Sequence, residues 1–330
     1  MARAVELVLR LVAFMLGIVP SLALAVGPVG ASGQVGCLEK LTEVERLEIT
    51  KPGTYENFLV DSQWQGGNRV KVTADDVVLR NCEIRNATGN GVGIFSRNVT
   101  IENCRIHHLL NGTFEKQADA HGITGHPVRL VIRNCDISHV SGDAVQFDPD
   151  RKPWDEVLIE NCTFWTGPLE ADAGGFKAGQ RPGENAFDSK TPPTGPRPRI
   201  MFRNCLFHGW NQPGQVSMLA ALNLKENVDA TVENCLFRDN QVCFRLRGPG
   251  SRGGALVRIQ YCAIFDSALG VRMEDKLENL KIVRLGFGTG IERKYQQAGG
   301  PWPGYENTGE FAARSFDALQ RSGVAVEPKK

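Results

Sequence analysis

Apolar and polar positions alternate along short stretches of this chain, and the alternation breaks at a recurring place. In Val77-Val78-Leu79-Arg80-Asn81 the inward positions are 77 and 79. In Leu158-Ile159-Glu160-Asn161 and Thr231-Val232-Glu233-Asn234 the residue two before Asn is apolar and the next is charged. After Asn the phase slips, because Cys82 and Ile84 share a face. A one-residue slip turns side chains to the opposite face unless the chain bends there. Asn therefore belongs at a tight bend between two strands, where it tolerates left-handed dihedrals and can bond its copies above and below. The unit recurs as Asn81-Cys82, Asn103-Cys104, Asn134-Cys135, Asn161-Cys162, Asn204-Cys205 and Asn234-Cys235, with Tyr261-Cys262 as a degenerate copy. The intervals are 22, 31, 27, 43, 30 and 27 residues. Units this short cannot bury their own apolar faces and must stack into a solenoid.

A third strand follows in each unit. We align Val92-Gly93-Ile94-Phe95-Ser96, Gly122-Ile123-Thr124-Gly125, Ala144-Val145-Gln146-Phe147, Ala186-Phe187-Asp188-Ser189, Ala221-Leu222-Asn223-Leu224, Cys243-Phe244-Arg245-Leu246 and Gly270-Val271-Arg272-Met273. Three short strands per turn with Asn at one bend resemble the right-handed parallel β-helix of pectate lyases and related carbohydrate-active proteins. The opening segment Thr50 to Asn57 is similar too. The resemblance covers roughly residues 45 to 290 and implies an all-β fold, a single-stranded right-handed parallel β-helix. The expected organisation is a leader over 1–25, a β-helix domain over 26–295, and a turn-rich tail and cap over 296–330.

Composition narrows the setting. Arg3 and Arg10 flank the start of an apolar run, Leu11 to Val19, and Ala23-Leu24-Ala25 offers small residues for cleavage, as in a secretory leader. Pro20 and Pro28 interrupt the run, so no stable membrane span is expected, and the protein is expected to be secreted or periplasmic. The chain has 38 basic and 37 acidic residues; a leader would remove Arg3, Arg10 and Glu6, leaving equal numbers. Nothing global attracts nucleic acid, and any attraction for a polyanion is local. A monomer is expected. The nine cysteines read as small fillers of a core column, because in-register side chains point the same way rather than at each other.

The resemblance implies a substrate lying on the outer face of one sheet. In the alignment the outward column of the third strands reads Phe95, Thr124, Gln146, Asp188, Asn223, Arg245, Arg272. The next outward column reads Arg97, His126, Asp148, Lys190, Lys225, Arg247, Glu274. Asp188, Lys190, Lys225, Arg245 and Arg247 thus fall on three successive rungs, about 10 Å at usual strand spacing. Adjacent like charges repel unless a ligand carries carboxylates, and arginine suits their bidentate capture. The bland alternative is a salt-bridge ladder joining Asp188 to Lys190 or Lys225. Two long insertions, His107 to Ala120 and Trp165 to Asn185, wall this face. Trp154, Trp165 and Trp210 could stack on sugars or anchor loops. Asp143, Asp148, Glu184 and Asp188 could hold Ca²⁺, and His121 or His126 could exchange protons.

The expected partner is an acidic polysaccharide or oligosaccharide, and the resemblance implies a polysaccharide lyase acting on uronates by β-elimination. Lys190 is the first choice of base, its proton affinity lowered by Lys225, Arg245 and Arg247. Asp188 positions metal or substrate and Arg247 binds carboxylate or replaces Lys190. Lys225, Arg245, Asn223, Gln146, His126 and Trp154 bind substrate. Alternatives on the same scaffold are a glycoside hydrolase using Asp148 and Asp188, a uronan C5-epimerase suggested faintly by Phe147-Asp148-Pro149-Asp150, and a non-catalytic carbohydrate-binding protein.

Overall fold

The computed structural model describes residues 28–38, 41–147, 152–192, 195–211, 219–248, 253–274, 276–298 and 304–324. The candidate leader, Asp148, Asp150 and most of the turn-rich linker before Gly304 lie outside these. Among the described residues no helix is long and apolar enough to cross a membrane.

The coil has three long parallel sheets. Strands ending at the recurrent Asn form the first, strands following its Cys the second, and the third strands the third. Among the described residues they contain 10, 11 and 10 strands, in strict sequence order. The register matches one repeat to the next: Ile106 pairs with Ile84 and Ile137, and Phe207 with Phe164 and Phe237. The solenoid continues past the last recognisable pair, since Arg293–Ala298, Gly304–Asn307 and Glu310–Ala312 add strands to all three sheets.

The bend explains the repeat. Asn81, Asn103, Asn134, Asn161, Asn204 and Asn234 have φ between 48° and 56°, and Tyr261 takes the same turn at 52°. Asn bears the left-handed cost best because its short amide bonds locally. Asn103 Nδ2 donates to Asn81 Oδ1 (2.6 Å) and Asn134 Nδ2 to Asn103 Oδ1 (2.9 Å). A second run links Asn161, Asn204 and Asn234. Next to each Asn the cysteine is wholly buried as a free thiol. Its Sγ–H donates to the carbonyl two residues back, as from Cys135 to Arg133 at 3.3 Å. Beside it runs an interior column in which Phe164, Phe207 and Phe237 stack with centroids 5.2 and 5.0 Å apart. Each such ring contributes about 1.5–3 kcal/mol of burial.

The third-sheet alignment needs one correction. Val92, not Ile94, pairs with Ile123, so Gly93 and not Phe95 stands in the outward column beside Thr124. A two-residue slip preserves inward–outward parity, so alternation could not detect it.

Residues 28–38 and the helix Phe316–Ser322 fold back on the coil. Main-chain N–H groups of Gly30, Ser32 and Gly36 bond Asn204 O, Asn134 Oδ1 and Asn103 O, laying residues 28–38 along the Asn bend. Val29 N–H meets Gln320 O at 2.7 Å, at the helix Phe316–Ser322, which packs Leu319 on Leu236, Ala263 and Phe265. The expected cap is therefore a flank cover over the second sheet.

Replacing Asn134 by Ala adds left-handed strain and removes a ladder bond and the acceptor for Ser32. Asn134→Ala should lower stability by about 2 kcal/mol, read as an earlier denaturant midpoint. An unchanged midpoint would show that the ladder is decorative.

Candidate functional site

The third sheet's outer face carries the predicted columns in register: Thr124, Gln146, Asp188, Asn223, Arg245, Arg272. Two residues before each inward position lies a second set of bend residues: Asn68, Asn90, His121, Asp143, Asn185, then Ala220, Val242 and Leu269. These form a ladder of their own. Asn90 Nδ2 donates to Asn68 Oδ1 (3.0 Å), and the His121 amide donates to Asn90 Oδ1 (2.9 Å). The Asp143 amide donates to His121 Nδ1 (3.0 Å), and Asn185 Nδ2 donates to Asp143 Oδ1 (2.7 Å). The Ala220 amide ends the run on Asn185 Oδ1 at 3.1 Å. A ring nitrogen accepting a main-chain N–H holds no proton, so neutral His121 is protonated at Nε2. Gln146 Nε2 lies 3.0 Å from that atom, and the two hydrogen-bond once the amide is turned to present its oxygen as the acceptor.

The long insertions bring in Glu184. The first contains the hairpin Asn111–Thr113 and Lys116–Ala118, with His107 belonging instead to the preceding strand. Gln117 of that hairpin accepts from the Gly183 amide (3.1 Å), and the Glu184 amide donates to Gly142 O (3.0 Å). Leu110, Leu169 and Phe176 pack beneath, with Trp64 and Phe114 against them. Glu184 is thereby set among Asp119, Asp188, Lys190 and Lys225.

Charge follows the salt-bridge alternative left open by the sequence, with Asp188 taking Lys225, and not the crowding of unpaired cations around Lys190. Lys225 Nζ lies 2.9 Å from the Asp188 carboxylate, which also accepts from Asn223 Nδ2 at 3.0 Å. Arg245 and Arg272 meet Glu274 at 2.9 and 2.7 Å, with Arg247 3.7 Å away. Burial raises the Glu274 carboxyl, but hydrogen bonds from Arg272 and Arg245 and the charges of Arg245 and Arg247 outweigh it and hold it below its ordinary range. The cations expected to crowd Lys190 are thus drawn to other carboxylates. Lys190 has no ion-pair partner within 4 Å among the described residues, and its charge acts on Asp143, Glu184 and Asp188. Its main chain is held by Trp154, whose Nε1–H donates to Lys190 O at 2.8 Å.

Three carboxyls hold protons more tightly than usual. Burial is the largest cause for each; Asp188 and Glu184 add to it for Asp143, and Asp188 and Asp119 for Glu184. For Asp188, Lys225 and Lys190 offset burial only in part. Asp143 is fully buried, and among the described residues its Oδ2 accepts no hydrogen bond, with His121 Nδ1 3.8 Å away.

Several expected roles change. Trp154 is 1% exposed and packs on Phe147, so it braces Lys190 rather than stacking on a sugar; Trp210 is buried as well. Trp165 points from the second sheet. Gln146 and Asn223 are buried and serve His121 and Asp188. His126 stands at the strip's near end, edge-on to Phe95. Arg245 and Arg247 lie two rungs from Asp188, beyond Asn223 and Lys225.

The described calcium candidates do not fit a cation as they stand. A calcium site needs converging oxygen ligands. Asp188 is committed to Lys225, which takes a cation's position, and Asp143 is sealed behind Asn185. Asp148 lies outside the described residues. Among those described, no three His, Cys, Asp or Glu side chains are placed to hold a metal. Two shallow hollows, of about 240 and 420 Å³, lie away from this chemistry, beside Val242 and Leu269 and between Phe114 and Asp239.

The ladder was legible in principle, as a polar residue at constant offset from an inward one. The Gln117–Gly183 contact was not, since it joins two insertions without a repeat.

Asp143 provides a test. Its native proton affinity is raised, so its stabilising contribution is present below the ordinary carboxyl range and is lost as pH rises through the native value. Asp143→Asn keeps the bond from Asn185 without a buried charge. It should stabilise the protein by about 2 kcal/mol at pH 7, with a smaller gain at pH 4. A destabilised variant at pH 7 would contradict this.

No curated protein matches the sequence. The model for a right-handed β-helix region matches residues 55–166. Among solved structures, the chain resembles pectate lyase Pel9A at 14% identity, with a TM-score of 0.53, covering 87% of this chain and 72% of that one. It also resembles the A-module of mannuronan C-5 epimerase AlgE4 from Azotobacter vinelandii at 13% identity and a TM-score of 0.55, covering 78% of this chain and 65% of that module. At these identities the likeness is one of fold. The chain folds as a right-handed parallel β-helix.

Proposed function

We propose that this chain is an exported polysaccharide lyase acting on a uronate-containing polymer, with its site on the third sheet's outer face. The observation that carries this reading is the pairing of Glu184, a carboxyl of raised proton affinity, with Lys190, an ammonium that no described carboxylate neutralises within 4 Å. The fold's occurrence in a pectate lyase and a mannuronan epimerase is consistent with it.

β-Elimination begins by removing the proton at C5 of a uronate. The adjacent carboxylate must be neutralised for that proton to leave. In this reading Lys190 binds this carboxylate, with Lys225, oriented by Asp188, one rung on. Glu184 is the better base, because a carboxyl shifted toward neutral pH both accepts and returns a proton readily. The C5–H electrons form the C4–C5 double bond and the C4–O bond breaks. The departing oxygen takes the proton back from Glu184. This exchanges the roles expected from sequence, where Lys190 was the base.

On a panel of uronate polysaccharides, the protein should generate the absorbance of unsaturated uronides, with or without chelator. Glu184→Gln should lower kcat by about 10²–10⁴-fold while retaining binding. Lys190→Ala should lower kcat/KM and weaken affinity for the acidic polymer. Reducing ends without absorbance would replace the lyase by a hydrolase, and full activity in Glu184→Gln would remove the assigned base.

A further inference from the structure

A second cluster of titratable groups lies on the outer face of the second sheet, away from the strip. His108 and His139 stack with ring centroids 5.0 Å apart and planes 25° from parallel. Trp165 meets His139 edge-on at 4.6 Å and stacks on His208 at 5.7 Å, with planes 3° apart. His107 closes the near end, with Nδ1 2.6 Å from His108 Nδ1 and Nε2 3.2 Å from Glu83. Trp165 is pinned by its Nε1–H to Asp136 at 3.1 Å.

This stack grips the root of the insertion that delivers Glu184. His139 lies beside the main chain of Gly167, which acts on its ring. The Thr166 amide donates to His208 O at 3.2 Å, and Thr166 Oγ donates to Pro182 O at 2.6 Å, tying the root to the exit. Arg181 bonds Gly209 O and Asp239 at 3.0 and 3.2 Å. Gly209 is part of the same contact, because a Cβ there would lie 2.0 Å from Thr166 O. Two residues after Pro182 stands Glu184.

We propose that the ring stack is an acid-responsive hinge for this insertion, with His139 and His208 as positioning residues that keep Glu184 on the strip while they are neutral. The catalytic part of this inference rests on the reading of Glu184 above. The surroundings support it. Burial holds His108, His139 and His208 down to about 4 each. His107, Arg105 and Arg85 add to this at His108, and His108, His107 and Arg105 at His139, where the Gly167 contact opposes it. Around His208, Asp239 opposes the shift while Arg238 and Arg181 reinforce it. Protonation would set two cations face to face at His108 and His139, the latter in contact with Trp165. Their native affinities are lowered, so the open state binds more protons between the ordinary histidine range and about 4. The closed arrangement therefore loses stability as pH falls through that window.

Amide hydrogen exchange of the full chain, corrected for intrinsic rates and read by mass spectrometry, tests this. Between pH 7 and pH 4.5, exchange over 166–184 should rise at least about 10-fold, with the first-sheet strands Val128–Arg133 and Asp155–Glu160 unchanged. The double variant His139→Phe, His208→Phe keeps two rings that cannot charge and should lose this rise. Equal protection of the wild-type segment at both pH values, or an undiminished rise in a folded double variant, would overturn the hinge. The wild-type comparison alone suffices should the variant not fold. Segment opening in a protein that cleaves no uronate would leave the hinge standing and remove the lyase reading.

Discussion

In-register stacking of parallel strands is the constraint on which the rest of this molecule depends. A coil can stack only if each turn bends at the same place, and here that bend requires a left-handed residue whose side chain also bonds to the next rung. Asparagine meets both needs. Once the bend recurs, the cysteine beside it and the aromatic column beyond it align without further instruction. Tyr261 shows that the amide is not indispensable at every rung, because it takes the same dihedral where the stack on either side is established.

The same logic, applied at a second bend, produces the chemistry. The column from Asn68 to Asn185 is a polar ladder in a position whose parity is inward. His121 and Asp143 replace amides within it and keep the ladder's bonding pattern while introducing titratable groups. At Ala220 the column turns apolar, and the buried set Ala220, Val242 and Leu269 continues it. The titratable stretch coincides with the rungs that the insertions wall in. Scaffold and site are therefore continuous: Asn185 supports Asp143, Asn223 and Lys225 support Asp188, and Trp154 supports Lys190.

Much of the architecture was legible because a repeat multiplies each signal. Six Asn-Cys pairs state one bend six times, and the outward columns followed by counting. Counting failed at Gly93, where period-two parity is blind to a two-residue slip. It also failed for charge. Position placed Lys190, Lys225, Arg245 and Arg247 together, but partner choice depends on side-chain reach. Glu274 gathers the arginines and Asp188 takes Lys225, leaving Lys190 to the carboxyls. Tryptophans misled for a related reason: sequence cannot tell a ring that faces a cleft from one that fills the wall behind it, as Trp154 does. Glu184 gained its importance only through contacts between two unrelated insertions.

The central claim is one of place, that an acidic glycan lies along the third sheet's outer face with a carboxylate at Lys190. The most direct measurement is a crystal structure of the inactive Glu184→Gln protein soaked with a defined oligouronate. The account predicts a sugar carboxylate on Lys190 Nζ, the C5 hydrogen of that sugar facing residue 184, and the chain continuing past Lys225 toward Arg247. An oligosaccharide seated instead in the hollow between Phe114 and Asp239, or on the second sheet, would contradict it.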